Sequence, residues 1–178
     1  MYTVIPNLLT SSELITLQNE FESTATPWRP ERGVTGNIKR IYKNLVFQSL
    51  FDKFTPILNE VYQRELAPTY SYARKYSQDC KLHPHLDRPA CEFSLSVNIA
   101  SSDDTVPWSF NFYNENNERV EVFLNPGDGV CYKGLEVSHG RNECPVEWYT
   151  QAFYHWVDKN GVYGYLINDN RDIIIESN

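Results

Sequence analysis

Hydrophobic and polar positions follow two regimes along this chain. Up to about residue 68 the apolar residues recur at helical spacing. From Thr69 onward, short aromatic or β-branched runs alternate with turn residues. In the first regime, Thr10-Ser11-Ser12-Glu13 has the form of a capping box, with Thr10 at the cap and Glu13 reaching back. Leu14, Leu17 and Phe21 then follow at helical spacing, with Ile15 beside them, so a helix is predicted over Thr10–Ser23. Residues 24–36 hold two prolines and two glycines and little period, and read as loop. Leu50, Phe54, Ile57, Leu58 and Val61 form a stripe that predicts a second helix over Ser49–Leu66. Pro56 inside that stripe is expected to kink or split it, because its ring clashes with the preceding turn.

In the second regime, strands are predicted near Tyr70–Tyr76, Glu92–Ile99, Trp108–Tyr113, Arg119–Phe123, Gly129–Tyr132, Glu136–His139 and Trp148–Val157. Turn residues separate them at Asp103-Asp104, at 114–117, at Asn125-Pro126-Gly127-Asp128 and at Asn142-Glu143-Cys144-Pro145. Ile173-Ile174-Ile175 is a candidate edge strand. Many short strands at such spacing imply a sandwich or barrel. The expectation is a mostly β (α+β) chain, one domain over 1–178, with a helical buttress over about 1–68 and a β core over about 69–178.

Composition sharpens this. At 178 residues, folding buries roughly 70% of the unfolded chain's surface, enough for a core without staples. Twelve Tyr, 9 Phe and 4 Trp favour strands. The net charge of −7 and the lack of a basic run argue against nucleic acid as a partner. Cys80, Cys91, Cys131 and Cys144 match no zinc spacing, and the N-terminus lacks the basic and apolar regions of a secretion signal, so free thiols in a cytoplasmic protein are expected. No apolar run reaches the ~18 residues of a membrane span.

Candidate chemistry sits in His85-Leu86-Asp87. In extended backbone, side chains two apart share a face, so His85 and Asp87 can hold one metal without strain. His83 and His85 have the same spacing, but a carboxylate is the harder ligand and suits iron(II). His83 is assigned to the surface or to a supporting role. The third ligand is His139 or His155. His155 lies in the apolar run Phe153-Tyr154-His155-Trp156-Val157, where a core role is the usual one, whereas His139 follows a turn near a strand end. Two histidines and one carboxylate form a facial triad that leaves metal positions open. Tetrahedral zinc in a non-catalytic metal- or ligand-binding jelly-roll is the rival reading.

The stretch Leu82–Arg88, continuing into Cys91–Asn98, resembles the H-x-D strand and next core strand of the iron(II)- and 2-oxoglutarate-dependent dioxygenases, in their prolyl-4-hydroxylase-like branch. Leu124–Asp128 resembles the turn before their second metal histidine, Ser138–Arg141 the H-x-R form of some small members, often from phages or bacteria, and Tyr149–Asp158 their closing strand. The resemblance covers about Tyr70 to Asp158. It implies a double-stranded β-helix, a cupin-like jelly-roll, with iron(II) on His85, Asp87 and His139. It implies 2-oxoglutarate as cosubstrate, dioxygen, ascorbate as an optional reductant, and hydroxylation of a peptidyl residue such as proline or of a small molecule. Halogenating relatives lack the carboxylate ligand, and Asp87 is present. One departure stands out: where many members carry a cation about ten residues past the distal histidine, this chain has Trp148 and Tyr149. Arg141 is the expected substitute for holding the far carboxylate of 2-oxoglutarate, with Tyr76 and Ser96 as hydroxyl donors and Arg74 and Arg88 as rivals.

Overall fold

The computed structural model describes residues 2–116 and 118–169. The predicted strand at Ile173-Ile174-Ile175 lies outside the described residues. Two antiparallel sheets carry the fold. The strands are β1 (Tyr2–Ile5), β2 (Arg29–Pro30), β3 (Val34–Thr35), β4 (Asn37–Tyr42), β5 (Leu66–Ser77), β6 (Lys81–His85), β7 (Phe93–Ser101), β8 (Phe110–Tyr113), β9 (Arg119–Val122), β10 (Gly129–Tyr132), β11 (Ser138–Arg141) and β12 (Trp148–Asp158). The larger sheet has the order β1-β10-β7-β12-β5-β4-β2, the smaller β3-β6-β11-β8-β9.

The helices α1 (Ser11–Ser23), α2 (Leu45–Gln48) and α3 (Phe51–Tyr62) pack on the outer face of the larger sheet. Thr10 and Glu13 form the predicted capping box, with Glu13 Oε2 accepting from the Thr10 N–H at 2.7 Å and Thr10 Oγ1 accepting from the Glu13 N–H at 3.3 Å. Leu17, Phe21, Phe54 and Leu58 meet Leu95, Val97 and Ile99 of β7 and Ala152, Tyr154 and Trp156 of β12. Phe51 and Phe54 set their ring edges against Tyr154 at 5.4 and 4.9 Å. Truncating one fully buried aromatic such as Phe54 would cost about 3–5 kcal/mol.

Strand alternation then sends the other residues of β7 and β12 toward the smaller sheet. These are Ser94, Ser96 and Asn98, and Gln151, Phe153 and His155, all buried. This inner face is therefore largely polar although it is closed to water.

Three expectations need correction. The second helix is shorter than predicted: it begins at Phe51, runs unbroken through Pro56, and ends where Gln63 turns left-handed at φ 52°. The break lies upstream, at Ser49-Leu50, where α2 stops. The segment 1–68 is not only a helical buttress, since β1 extends one edge of the larger sheet, β4 and β2 extend the other, and β3 joins the smaller sheet. These strands escape a pattern search because they are short, and the buried residues of β4, Ile38 and Ile41, lie three apart rather than two. The strand predicted over Glu136–His139 sits two residues later, because the Glu136 and Val137 N–H groups close a turn on the Lys133 carbonyl.

Candidate metal centre

β6 and β11 run side by side with His139 opposite His85. Gly140 allows this approach: a Cβ there would lie 2.7 Å from the Leu82 carbonyl oxygen and 3.0 Å from the Pro84 nitrogen. Asp87 follows the end of β6, and its N–H donates to the Gly134 carbonyl at 2.9 Å. The His85 and His139 Nε2 atoms then lie 3.7 and 3.6 Å from the same oxygen, Asp87 Oδ1. Ligand atoms of the three residues all fall within 4.8 Å of one another.

Each imidazole is oriented in the same way. His85 Nδ1 faces the His83 carbonyl at 2.8 Å and His139 Nδ1 faces the Val137 carbonyl at 2.9 Å. A carbonyl can only accept, so each Nδ1 carries the proton and each Nε2 presents a lone pair. Ser94 Oγ donates to Asp87 Oδ2 at 3.1 Å, fixing the carboxylate from behind. Tyr132 stands over His139 with its hydroxyl 3.4 Å from Nε2.

Electrostatics agree with a site made for a cation. Burial pushes the Asp87 carboxyl up to about 6, against the pull of His85, Ser94, Arg88 and Arg74. Burial pushes His139 down to about 4, and burial with neighbouring His139 lowers His85. Two neutral imidazoles beside an isolated, poorly solvated carboxylate form the donor set that a divalent cation would satisfy.

The three residues line a cavity of about 250 Å³ whose wall also includes Tyr70, Tyr72, Arg74, Arg88, Tyr132, Phe153 and His155. Arg74 reaches it from β5 and donates to Tyr76 Oη at 2.8 Å and to Glu31 Oε1 at 2.6 Å. Arg88 pairs with Asp169 and stacks on Tyr70, 4.6 Å from the ring centre.

Arg141 extends inward from β11, two residues past His139, and is 1% exposed. Its Nη1 donates to the Trp108 carbonyl at 2.8 Å and its Nε to Gln151 Oε1 at 3.1 Å. Its guanidinium carbon lies 4.4 and 4.8 Å from the Trp108 and Tyr149 ring centres. Gln151 passes the chain on to Ser96 Oγ, and Tyr76 packs edge-on against Trp108 at 5.1 Å. Arg141, Ser96 and Tyr76 are thus joined through Gln151 and Trp108, behind the cavity wall rather than in it. Arg141 Nη2 and Tyr149 Oη are buried and, among the described residues, meet no hydrogen-bond partner of good geometry, although the guanidinium lies close enough to the Tyr149 hydroxyl to favour its ionised form against the effect of burial. His83 points away from the cavity, its Nε2 2.9 Å from Thr35 Oγ1.

Sequence reasoning did not find Ser94, Tyr132, Gly134 or the inward direction of His155. The signal for Ser94 was present in Ser94-Leu95-Ser96-Val97-Asn98-Ile99, whose alternation is plain. Alternation alone leaves that polar side solvent-facing until a second sheet is known to cover it, and the resemblance drew attention to Ser96 rather than to Ser94.

No protein-family model matches the sequence, and no curated protein matches it. Solved structures do. A 2-oxoglutarate–iron(II) oxygenase-family oxidoreductase from Burkholderia pseudomallei superposes with a TM-score of 0.75 at 16% identity, over 90% of this chain and 86% of that one. HygX from Streptomyces hygroscopicus, solved with nickel, 2-oxoglutarate and hygromycin B, gives 0.69 at 15% identity, over 89% and 83%. A prolyl-4-hydroxylase from Pseudomonas putida gives 0.66 at 14% identity, over 87% and 91%. The chain therefore shares its fold with the 2-oxoglutarate–iron(II) oxygenases.

Proposed function

We propose that this protein is an iron(II)- and 2-oxoglutarate-dependent dioxygenase that hydroxylates a small molecule or a peptidyl residue such as proline. The observation that carries this reading is the convergence of the His85 and His139 Nε2 atoms on one oxygen of Asp87. In this reading the two sheets form a double-stranded β-helix within a single domain, and the triad lies between them.

Iron(II) with 2-oxoglutarate, when bound, supplies the oxidising power to insert an oxygen atom from dioxygen into a C–H bond, with loss of carbon dioxide from the cosubstrate. The chain's own residues do the positioning. His85 and His139 are held in the metal-competent tautomer by backbone carbonyls, and Asp87 is fixed by Ser94. Arg141 is a buried cation behind the cavity wall that would meet the far carboxylate of 2-oxoglutarate only by the cosubstrate parting that wall, whereas Arg74 and Arg88 line the cavity and stand within direct reach of it. Ser96 and Tyr76 brace that end through Gln151 and Trp108. Tyr70, Tyr72, Tyr132 and Phe153 give the cavity an aromatic wall. At about 250 Å³ it suits the cosubstrate with one small group, such as a metabolite or a single projecting side chain.

The test is spectroscopic and kinetic. Anaerobic addition of iron(II) and 2-oxoglutarate should give a visible metal-to-ligand charge-transfer band, and Asp87→Ala should lose both the band and substrate-dependent succinate. A chain that shows no band and holds zinc tightly at the triad is not this enzyme.

A further inference from the structure

We propose that Asp87, Cys91 and His155 form a second metal position beside the triad, one that takes zinc or another thiophilic divalent cation. Ligand atoms of these three residues also lie within 4.8 Å of one another. They come from separate elements: Asp87 after β6, Cys91 at the end of the single helical turn Pro89–Cys91, and His155 from β12. Cys91 and His155 are buried, at 2% and 5% exposed, and the Asp87 side chain keeps 13% of its surface toward the cavity side.

The two oxygens of Asp87 serve different neighbours. Oδ1 faces the His85 and His139 nitrogens, while Oδ2 faces Ser94, whose hydroxyl also lies 2.9 Å from His155 Nδ1. Tyr70 closes the far side, with its hydroxyl 3.0 Å from Cys91 Sγ and its ring 4.6 Å from that of His155. The carboxylate thus stands between two donor sets of different character. The triad is a nitrogen and oxygen set, whereas the second set adds sulfur, and thiolate ligands favour zinc, cobalt or cadmium over harder ions. Asp87 and His155 line the cavity, so the remaining coordination position opens toward it.

Binding is a simple exchange. The Cys91 thiol gives its proton to solvent as the sulfur–metal bond forms, and no oxidation state changes. An ion held there stands in the cavity floor next to the triad and blocks it. Only this inhibitory consequence rests on the proposed oxygenase activity; the site itself does not.

Cobalt(II) alone is the probe, added to the chain carrying His85→Ala and His139→Ala, which removes two triad ligands. A near-ultraviolet thiolate-to-cobalt charge-transfer band should appear in this variant and vanish when Cys91→Ser is added. Zinc competition against a chromogenic chelator should show affinity falling by more than about tenfold with Cys91→Ser, the range already seen when only an outer partner of a ligand is lost. His155→Gln, which keeps the thiol, should weaken binding in the same assay and guards against a Cys91→Ser chain that fails to fold, as judged by circular dichroism. Absence of the band from the His85→Ala/His139→Ala chain, or its survival in Cys91→Ser, overturns the proposal. Either result leaves the iron–2-oxoglutarate band of the wild-type chain free to stand or fall separately.

Discussion

Gly134 gives the sharpest test of how tightly the Asp87 carboxylate is held. A Cβ built on this glycine would lie 2.3 Å from Asp87 Oδ2, 2.3 Å from the Cys91 carbonyl oxygen and 2.8 Å from Asp87 Cβ. The closest approach falls about 1.1 Å short of the 3.4 Å where ordinary contact begins. Neither side can yield easily. The Asp87 N–H is tied to the Gly134 carbonyl at 2.9 Å, and the Gly134 N–H to the Glu92 carbonyl at 3.1 Å, so backbone retreat breaks a buried bond. Overpacking of this kind costs about 1–3 kcal/mol, of which a lower unfolded-state entropy returns about 0.4–1 kcal/mol. Gly134→Ala should therefore be destabilised by roughly 1–2 kcal/mol. The larger effect is on the site: a displacement near 1 Å in a reacting group costs on the order of 10²-fold in rate. Chemical denaturation with iron(II) titration and a succinate assay reads both quantities. An alanine variant that matches wild type in denaturation midpoint, iron affinity and turnover would refute the argument that Gly134 is required by the carboxylate's position.

Further outcomes follow from the same geometry. Arg141→Leu should raise the 2-oxoglutarate concentration needed for the charge-transfer band by more than about tenfold, since a buried charged partner is lost, while iron binding alone stays unchanged; an unchanged requirement would point to Arg74 as the anchor. Iron(II) affinity should fall about tenfold per pH unit below about 6, where the metal must displace the proton of Asp87, and His139 should not compete until about pH 4. Affinity flat from pH 7 to pH 5 would contradict the raised carboxyl. Asp87 runs against stability at neutral pH: its folded value near 6 exceeds the ordinary 3.8, so its stabilising proton is fully present below about 3.8 and is lost as pH rises through 6. Asp87→Asn should therefore melt higher than the metal-free wild type at pH 8, by on the order of 2 kcal/mol, while binding no iron.

The parts of this architecture legible in the chain were those where local pattern and tertiary environment agree. Thr10 and Glu13 cap α1 by contacts three residues apart, so the signal is complete within the segment. β12 and β7 are long runs of strand-forming residues, β7 alternating and β12 rich in aromatics, and their bounds fell within two residues of prediction. His85 and Asp87 share a face because alternation is a property of any extended backbone. The remaining features depended on facts no segment contains. β2 and β3 are two residues each and exist because β4 and β6 accept them. Gly134 looks like an ordinary turn glycine until Asp87, distant in sequence, is laid across it. His155 was assigned to the core for a sound reason, and it is 5% exposed, yet what it faces is a cavity and a thiol.

One consequence ties the fold to the chemistry. A strand buried on both faces normally reads as a continuous apolar run, because a polar side chain closed to water without a partner costs free energy. β7 breaks that expectation with Ser94, Ser96 and Asn98 on its covered face, and β12 does so with Gln151 and His155. Most of these polar atoms satisfy one another in sequence, from Arg141 through Gln151 to Ser96 and from His155 through Ser94 to Asp87, while the Asn98 amide turns to the Leu124 carbonyl. Each chain stops at a group still in deficit: at one end Arg141 Nη2, without an acceptor of good geometry among the described residues, at the other a carboxylate held protonated up to about pH 6 between neutral imidazoles. A cation at the triad and an anion beside Arg141 would complete both. The bound groups then add to the folding free energy by mass action on the native state. The polar lining of the two sheets is thus the cost of preorganising a metal and a carboxylate ligand between two buried faces.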